Sequence, residues 1–183
     1  MTAKRGLMLG RFQPFHNGHV ALAGQILEEC DELVIAIGSA QFNFIEKDPF
    51  TAGERIAMIH AALGGAGLDL SKCYLIPISN DDNNARWLAN LESMVPDFDY
   101  LYSGNEFVKL LVRSQDPKIK LVEPKFKKKS EYNGSRIRNL IITGGKWKPL
   151  VPAAVVKEIE RIGGVERIRL LATTSTESSP QNW

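Results

Sequence analysis

Residues 10–19 read Gly10-Arg11-Phe12-Gln13-Pro14-Phe15-His16-Asn17-Gly18-His19 and hold two of the chain's three histidines, at H-x-G-H spacing. A short apolar run precedes them and an apolar-periodic stretch follows, so the segment joins a strand to a helix. A helix beginning near Asn17, which can cap it, presents unpaired backbone N–H groups and the positive end of its dipole. Such a terminus binds anions, phosphate above all. His16 before the helix and His19 in its first turn can face one anion. Gly18 leaves room for phosphate oxygens, and Gly10 lets the chain leave the strand sharply. A lone histidine reads as a packing residue, and His60, on an apolar helical face, is read so. Two histidines behind a strand-ending glycine and Arg11 are read as a site.

Other strand ends repeat the pattern of small and polar residues: Gly38-Ser39-Ala40-Gln41, Ser79-Asn80-Asp81-Asp82 and Ser103-Gly104-Asn105. Lys47 lies in the loop after the second strand, where a mobile cation can reach a phosphate. Arg138 lies on a helix opening near Asn133-Gly134-Ser135, a second candidate anion-binding terminus. Trp87 is either a core aromatic or a stacking wall for a planar ring, with Asn84 supplying both a donor and an acceptor. The Lys125–Lys129 run reads as solvated charge. No G-x-x-x-x-G-K-[ST] loop is present, and no G-x-G-x-x-G follows the first strand, which disfavours P-loop kinases and hydride-transferring dehydrogenases. Gly64-Gly65-Ala66-Gly67 ends a helix and is a turn.

The elements that must hold these residues are short strands alternating with amphipathic helices. Strands are expected at Gly6–Leu9, Leu33–Ile37, Tyr74–Ile78, Tyr100–Tyr102 and Ile119–Val122. One helix buries Val20, Ala23, Ile26 and Leu27. A second, opened by a Thr51/Glu54 capping box, buries Ile56, Ile59, His60 and Leu63. A third starts at Asn84, and three more lie near Gly134–Ile142, Ala153–Ile162 and Val165–Leu171. Strand–helix alternation implies an α/β, Rossmann-like doubly wound parallel sheet of about five strands. Helices cover both faces, and C-terminal helices complete the domain. Ligands of such sheets collect at the carboxyl ends of strands, where strand order reverses.

Bulk properties set bounds. With 183 residues, 44% hydrophobic, 24% charged and a net charge of +2, the chain reads as one globular domain over residues 1–172. A polar flexible tail over 173–183 follows it. The balanced charge disfavours nucleic-acid partners, and no run is long enough for a membrane span. The N-terminus lacks a signal-peptide pattern. Cys30 and Cys73 read as two buried thiols of a cytoplasmic protein. No residue is assigned to a protein-held metal.

The segment from Gly10 to His19 resembles the nucleotidyltransferases marked by an H-x-G-H motif. The Asp48-Pro49-Phe50-Thr51-Ala52-Gly53-Glu54-Arg55 block, together with Asn84, Trp87, Tyr102–Asn105 and Gly134-Ser135 with Arg138, is similar to the archaeal nicotinamide-mononucleotide adenylyltransferases. The resemblance spans about residues 5–171 and implies transfer of AMP from ATP to nicotinamide mononucleotide, giving NAD and pyrophosphate with Mg2+. It also implies homo-oligomers, often hexamers. Carried over by position, Arg11, His16 and His19 would bind the ATP phosphates and the developing charge, aided by Lys47. Arg138 would hold the β- and γ-phosphates with Ser135 in support. Gly10, Phe12, Gly18 and Ser39 would shape the nucleotide pocket. Asn84 and Trp87 would recognise the nicotinamide, and Gly104 with Asn105 the adenosine. Three departures stand out: Lys47 where arginine is usual, Asn80 where aspartate is expected, and Asn133-Gly134-Ser135 before Arg138 where a serine–threonine form is usual. Alternatives are a phosphopantetheine or FMN adenylyltransferase of the same superfamily, or a nucleotide sensor without turnover.

Overall fold

A computed structural model describes residues 3–81, 83–125 and 131–174. Five parallel strands, β1 (Arg5–Gly10), β2 (Glu32–Ile37), β3 (Cys73–Pro77), β4 (Tyr100–Tyr102) and β5 (Lys120–Val122), pair in the order β3-β2-β1-β4-β5. The chain winds outward from β1 through β2 to β3, then returns to the other side of β1 for β4. Strand order therefore reverses between β1 and β4, and a crevice opens at their carboxyl ends.

The expected alternation carries the two faces. Met8, Leu33, Ile35 and Ile37 point into one core with Ala23, Ile26, Met58, Ile59 and Leu63. Leu7, Val34 and Ala36 point into the other, with Leu88, Leu91 and Val112. Helices α1 (Asn17–Glu29), α2 (Ala52–Gly65), α5 (Gly134–Ile142), α6 (Ala153–Arg161) and α7 (Gly164–Thr174) cover the first face. Helices α3 (Trp87–Met94) and α4 (Glu106–Gln115) cover the second. Among the described residues no helix is long and apolar enough to cross a membrane.

Several local expectations are corrected. His16, extended at φ −128° and ψ 172°, is the N-cap of α1. Asn17 is already helical, and its amide donates to the Pro149 carbonyl at 3.0 Å. Asn83, rather than Asn84, caps a short 3-10 turn over Asn84–Arg86, and α3 starts only at Trp87. The buried face of α2 is rotated, running through Arg55, Met58, Ile59, Ala62 and Leu63, so His60 is exposed to solvent. Cys73 sits at the edge strand and is only half-buried, whereas Cys30 is buried. Helix α4 was not anticipated, and α7 runs to Thr174, past the expected tail boundary. Residues 126–130 of the basic run and 175–183 of the tail lie outside the described residues, while Lys125 pairs with Glu29 at 2.6 Å.

Candidate active site

The crevice between β1 and β4 is a cleft of about 900 Å³. The strand-to-helix segment after β1 builds one wall. Phe12 takes a left-handed φ of 51° and buries its ring, and the Gln13–Pro14 peptide is cis. Gln13 is buried and makes two bonds to the Phe50 backbone, accepting its N–H at 3.0 Å and donating to its carbonyl at 2.9 Å. That clamp ties the H-x-G-H segment to the start of α2. A Cβ on Gly10 would come within 2.8 Å of the Phe12 ring, so glycine is required there by packing as well as by the bend.

The two imidazoles stack at 3.5 Å between centroids and 12° between planes. The His19 ring also meets Phe12 edge-on at 4.8 Å and Phe15 at 5.1 Å. The His16 backbone N–H donates to His19 Nδ1 at 3.2 Å, so a neutral His19 carries its proton on Nε2. Burial lowers the His16 pKa to about 4. Burial first, then the neighbouring His16, pushes His19 well below its ordinary value. At neutral pH both rings are therefore uncharged hydrogen-bonding groups. Nδ1 of His16 is buried without a hydrogen-bond partner among the described residues.

Positive charge comes instead from arginines. Arg138, on α5, is buried and donates to the Gln13 carbonyl at 2.8 Å and the Ser135 hydroxyl at 3.3 Å. Burial, then the charge of Arg11, lowers its pKa from the ordinary arginine value, and it stays protonated at neutral pH. Arg11 is half-exposed and reaches the buried carboxylate of Asp48 at 3.3 Å. Arg55 is fully buried and bonds four carbonyls, those of Arg11 at 2.9 Å, Gly38 at 2.7 Å, Ser39 at 3.1 Å and Thr51 at 3.3 Å. Burial lowers its pKa, opposed by the attraction of Asp48 and aided by the repulsion of Arg11. Arg11 and Arg138 thus line the cleft, Arg11 paired with the buried carboxylate of Asp48, an arrangement that favours an anion there.

Gly18, Gly104, Asn105 and Ser135 also line this cleft. Gly18 packs against Tyr132 and the His16 ring, where a Cβ would stand 3.1 Å from the Tyr132 side chain. The start of α5 is partly used up, because Asn133 Oδ1 accepts from the N–H groups of Ser135 and Arg136. A smaller pocket of about 290 Å³ adjoins across Arg11 and Asn105, lined by Gly10, Ser39, Asn80 and Trp87. Ser39 sits at φ 55° and is held by Asn80 Oδ1, which accepts its N–H at 3.1 Å and its hydroxyl at 3.2 Å. Asn84 lies further out, in an open groove continuous with that pocket through Ser79, Asn80, Asp81, Asn90 and Met94. Lys47 is exposed and lines none of these cavities.

A cytidylyltransferase-like family model matches residues 7–140, the span that contains every one of these groups. The chain belongs to the cytidylyltransferase-like family. Its relatives include the nicotinamide-nucleotide adenylyltransferase of Pyrobaculum neutrophilum, 46% identical over 181 residues, covering 98% of this chain and 99% of that one. The protein of the same name from Pyrococcus furiosus is 44% identical over 179 residues, covering 97% and 94%. The archaeal resemblance read from the motifs is thereby borne out. Among solved structures, a bifunctional NMN adenylyltransferase/ADP ribose pyrophosphatase from Francisella tularensis superposes with a TM-score of 0.78 at 19% identity. The match covers 96% of this chain and 54% of that protein, so the chain spans about half its length. At that identity the likeness shows the fold.

In this cytidylyltransferase-like chain, motif reading assigns no role to Gln13, Arg55 or Asp48. Gln13 lay inside the quoted segment and Arg55 and Asp48 inside the D-P-F-T-A-G-E-R block. The burial of all three, the bonds of Gln13 and Arg55 to distant carbonyls and the pairing of Asp48 with Arg11 are tertiary facts that no local spacing reveals.

Proposed function

We propose that the chain is a nicotinamide-nucleotide adenylyltransferase, transferring AMP from ATP to nicotinamide mononucleotide to give NAD and pyrophosphate. The observation that carries this reading is one cleft lined by Arg11, Arg138 and two stacked, neutral imidazoles, next to a pocket walled by Trp87. The adenylyltransferase relatives at 46% and 44% identity support the choice of reaction.

The attacking group is the 5′-phosphate of the acceptor, already ionised at neutral pH, so no side-chain nucleophile is needed. One of its oxygens bonds to the α-phosphorus of ATP in line with the departing bridge oxygen, which leaves with pyrophosphate. Both cysteines have thiol pKa values raised by burial, which suits a reaction without a covalent enzyme intermediate. The difficulty is to bring two anions together and to spread charge in the transition state, a matter of position and electrostatics. His19 Nε2–H and the neutral His16 ring supply hydrogen bonds to phosphoryl oxygens. Arg138 and Arg11 supply charge, and the N-terminus of α1, with no acidic residue in its first turn, adds its dipole. Gly10, Phe12, Gly18 and Ser39 shape the backbone around the nucleotide, and Ser135 steadies Arg138. Gly104 and Asn105 border the adenosine, Trp87 stacks on the nicotinamide ring, and Asn84 meets its carboxamide from the groove. Lys47 reaches the phosphates only if its loop moves.

The donors lining the cleft are imidazoles, guanidinium groups and amides, a set that suits anions. Mg2+ therefore fits best as a partner of the substrate phosphates, neutralising them when bound. We propose further that the protein is cytoplasmic and homo-oligomeric, the number of copies being readable by native mass spectrometry.

Incubation with ATP, Mg2+ and nicotinamide mononucleotide, followed by chromatography, should yield NAD and pyrophosphate in equal amounts. Binding of both substrates without product would replace this reading with that of a nucleotide sensor. Faster turnover of phosphopantetheine or FMN would move the acceptor assignment elsewhere in the superfamily.

A further inference from the structure

We propose that Glu123 reads the nucleoside half of the bound nucleotide and that Lys109 is the positioning residue that holds it there. This rests on the reading of the main cleft as an ATP site. The cleft is electrically polarised. Arg11, Arg138 and the imidazoles line one part, while Glu123, just past β5, is the one carboxylate lining it among the described residues. The Ser103 N–H donates to the Val122 carbonyl at 3.1 Å. That bond keeps the ends of β4 and β5 in step and sets Glu123 beside the Ser103–Asn105 turn.

Lys109 gives the carboxylate a fixed place. It lies one turn into α4, whose N-cap is Asn105, and it is buried at 6% exposure. A buried ammonium requires partners, and among the described residues it has two, Glu106 at 2.8 Å and Oε1 of Glu123. Glu123 is thereby the acidic group that faces the cleft. Oε2 of Glu123 makes no hydrogen bond among the described residues. Polyphosphate is repelled from this part of the cleft and drawn to the arginines, so the nucleoside lies towards Glu123. An ionised carboxylate only accepts hydrogen bonds. Its match on adenosine is a neutral donor, either a ribose hydroxyl or the 6-amino group, and Glu123 prefers a nucleotide that offers one.

Calorimetric binding to the full chain tests this without requiring turnover. The nucleotides are ATP, its 2′-deoxy and 3′-deoxy forms, and purine riboside triphosphate, which lacks the amino group. Glu123→Ala should weaken ATP binding about five- to tenfold, the scale of one solvent-exposed charge-assisted hydrogen bond. It should also erase the preference for ATP over one of the three analogues, which identifies the donor. Glu123→Gln, which keeps an acceptor oxygen, should fall between. Lys109→Met should repeat the loss of that same preference, whereas Glu106→Gln, away from the cleft, should keep it. Tripolyphosphate should bind Glu123→Ala at least as well as the parent. If Glu123→Ala discriminates among all four nucleotides as the parent does, the proposal is wrong even though the ATP site stands. If the parent binds none of them, the ATP reading itself fails and this assignment with it.

Discussion

Alanine in place of His19 removes two things at once. One is the Nε2–H that the bond from the His16 backbone to Nδ1 leaves available. The other is a ring stacked on His16 and packed against Phe12 and Phe15. Loss of a single donor aimed at charge that develops in the transition state costs about 10²–10³ in turnover, or about 2.7–4 kcal/mol. The structural cost is separate. The His16 N–H loses its acceptor, worth about 1–3 kcal/mol if it stays buried, and each lost aromatic pair adds about 0.5–1.5 kcal/mol. The variant should thus fold with a lower melting temperature and must be assayed below it. NAD formation at saturating substrates should fall by the catalytic factor while the KM for ATP changes much less. His19→Asn, with an amide that can accept from His16 and still donate, should recover part of the rate. A folded His19→Ala protein with turnover within about tenfold of the parent would refute the role given to this ring.

Because burial holds the folded His16 pKa near 4 against 6.5 for the free side chain, the unfolded chain takes up this proton first as pH falls. The His16 contribution, about 3 kcal/mol, should be lost between pH 6.5 and about 4, and His19, also held below its ordinary value by burial, adds to the decline. Urea unfolding across that range should show the slope, and His16→Gln should reduce it. Arg55→Lys keeps the charge but cannot bond four carbonyls. It should lose about 2–4 kcal/mol in thermal or urea unfolding and raise the KM for ATP, because the Arg11 and Ser39 turns are no longer tied together. If its stability and KM match the parent's, the clamp described for Arg55 is not what holds the site. Trp87→Ala should raise the KM for the acceptor about tenfold, the scale of one lost ring stack, with the KM for ATP unchanged. Equal effects on both substrates would place Trp87 in the core alone.

The parts of the fold legible in sequence were those whose periodicity reflects burial on one face. Leu33–Ile37 is apolar throughout because β2 is covered on both sides, and Thr51 with Glu54 forms the capping box expected of it, at 3.2 Å and 2.9 Å. What escaped was whatever depends on partners far along the chain. The apolar face of α2 was set one step off because an arginine, Arg55, turns inward, and its burial makes sense only once four carbonyls from three segments surround it. Helix α4 was hidden by its mixture of Lys109, Arg113 and exposed Phe107 and Leu110. Asn17, Asn83 and Asn84 show the same limit on a smaller scale. Each is a competent cap, and only the backbone conformation of its neighbour decides which one serves.

Two of the expected departures from the archaeal pattern, Asn80 and Lys47, have different consequences. Asn80 stands where aspartate was expected, yet its Oδ1 accepts both Ser39 bonds, a task either residue performs. What changes is charge: the smaller pocket loses a negative group beside Arg11 and gains an amide donor. That makes the approach of an anionic acceptor easier. Lys47 is the reverse case. As a lysine it offers a compact, strongly hydrated point charge in place of a planar fork, and its exposed position gives it no fixed bond to any cavity wall. The chain therefore concentrates its positive charge in side chains the fold already holds, Arg138 by Gln13 and Ser135 and Arg11 by Asp48. Lys47→Ala should accordingly cost less turnover than Arg138→Ala, whose guanidinium is buried in the cleft. Steady-state NAD formation by the two variants, compared at equal folded fraction, decides it: a larger loss for Lys47→Ala would mean that the loop closes over the nucleotide during the reaction.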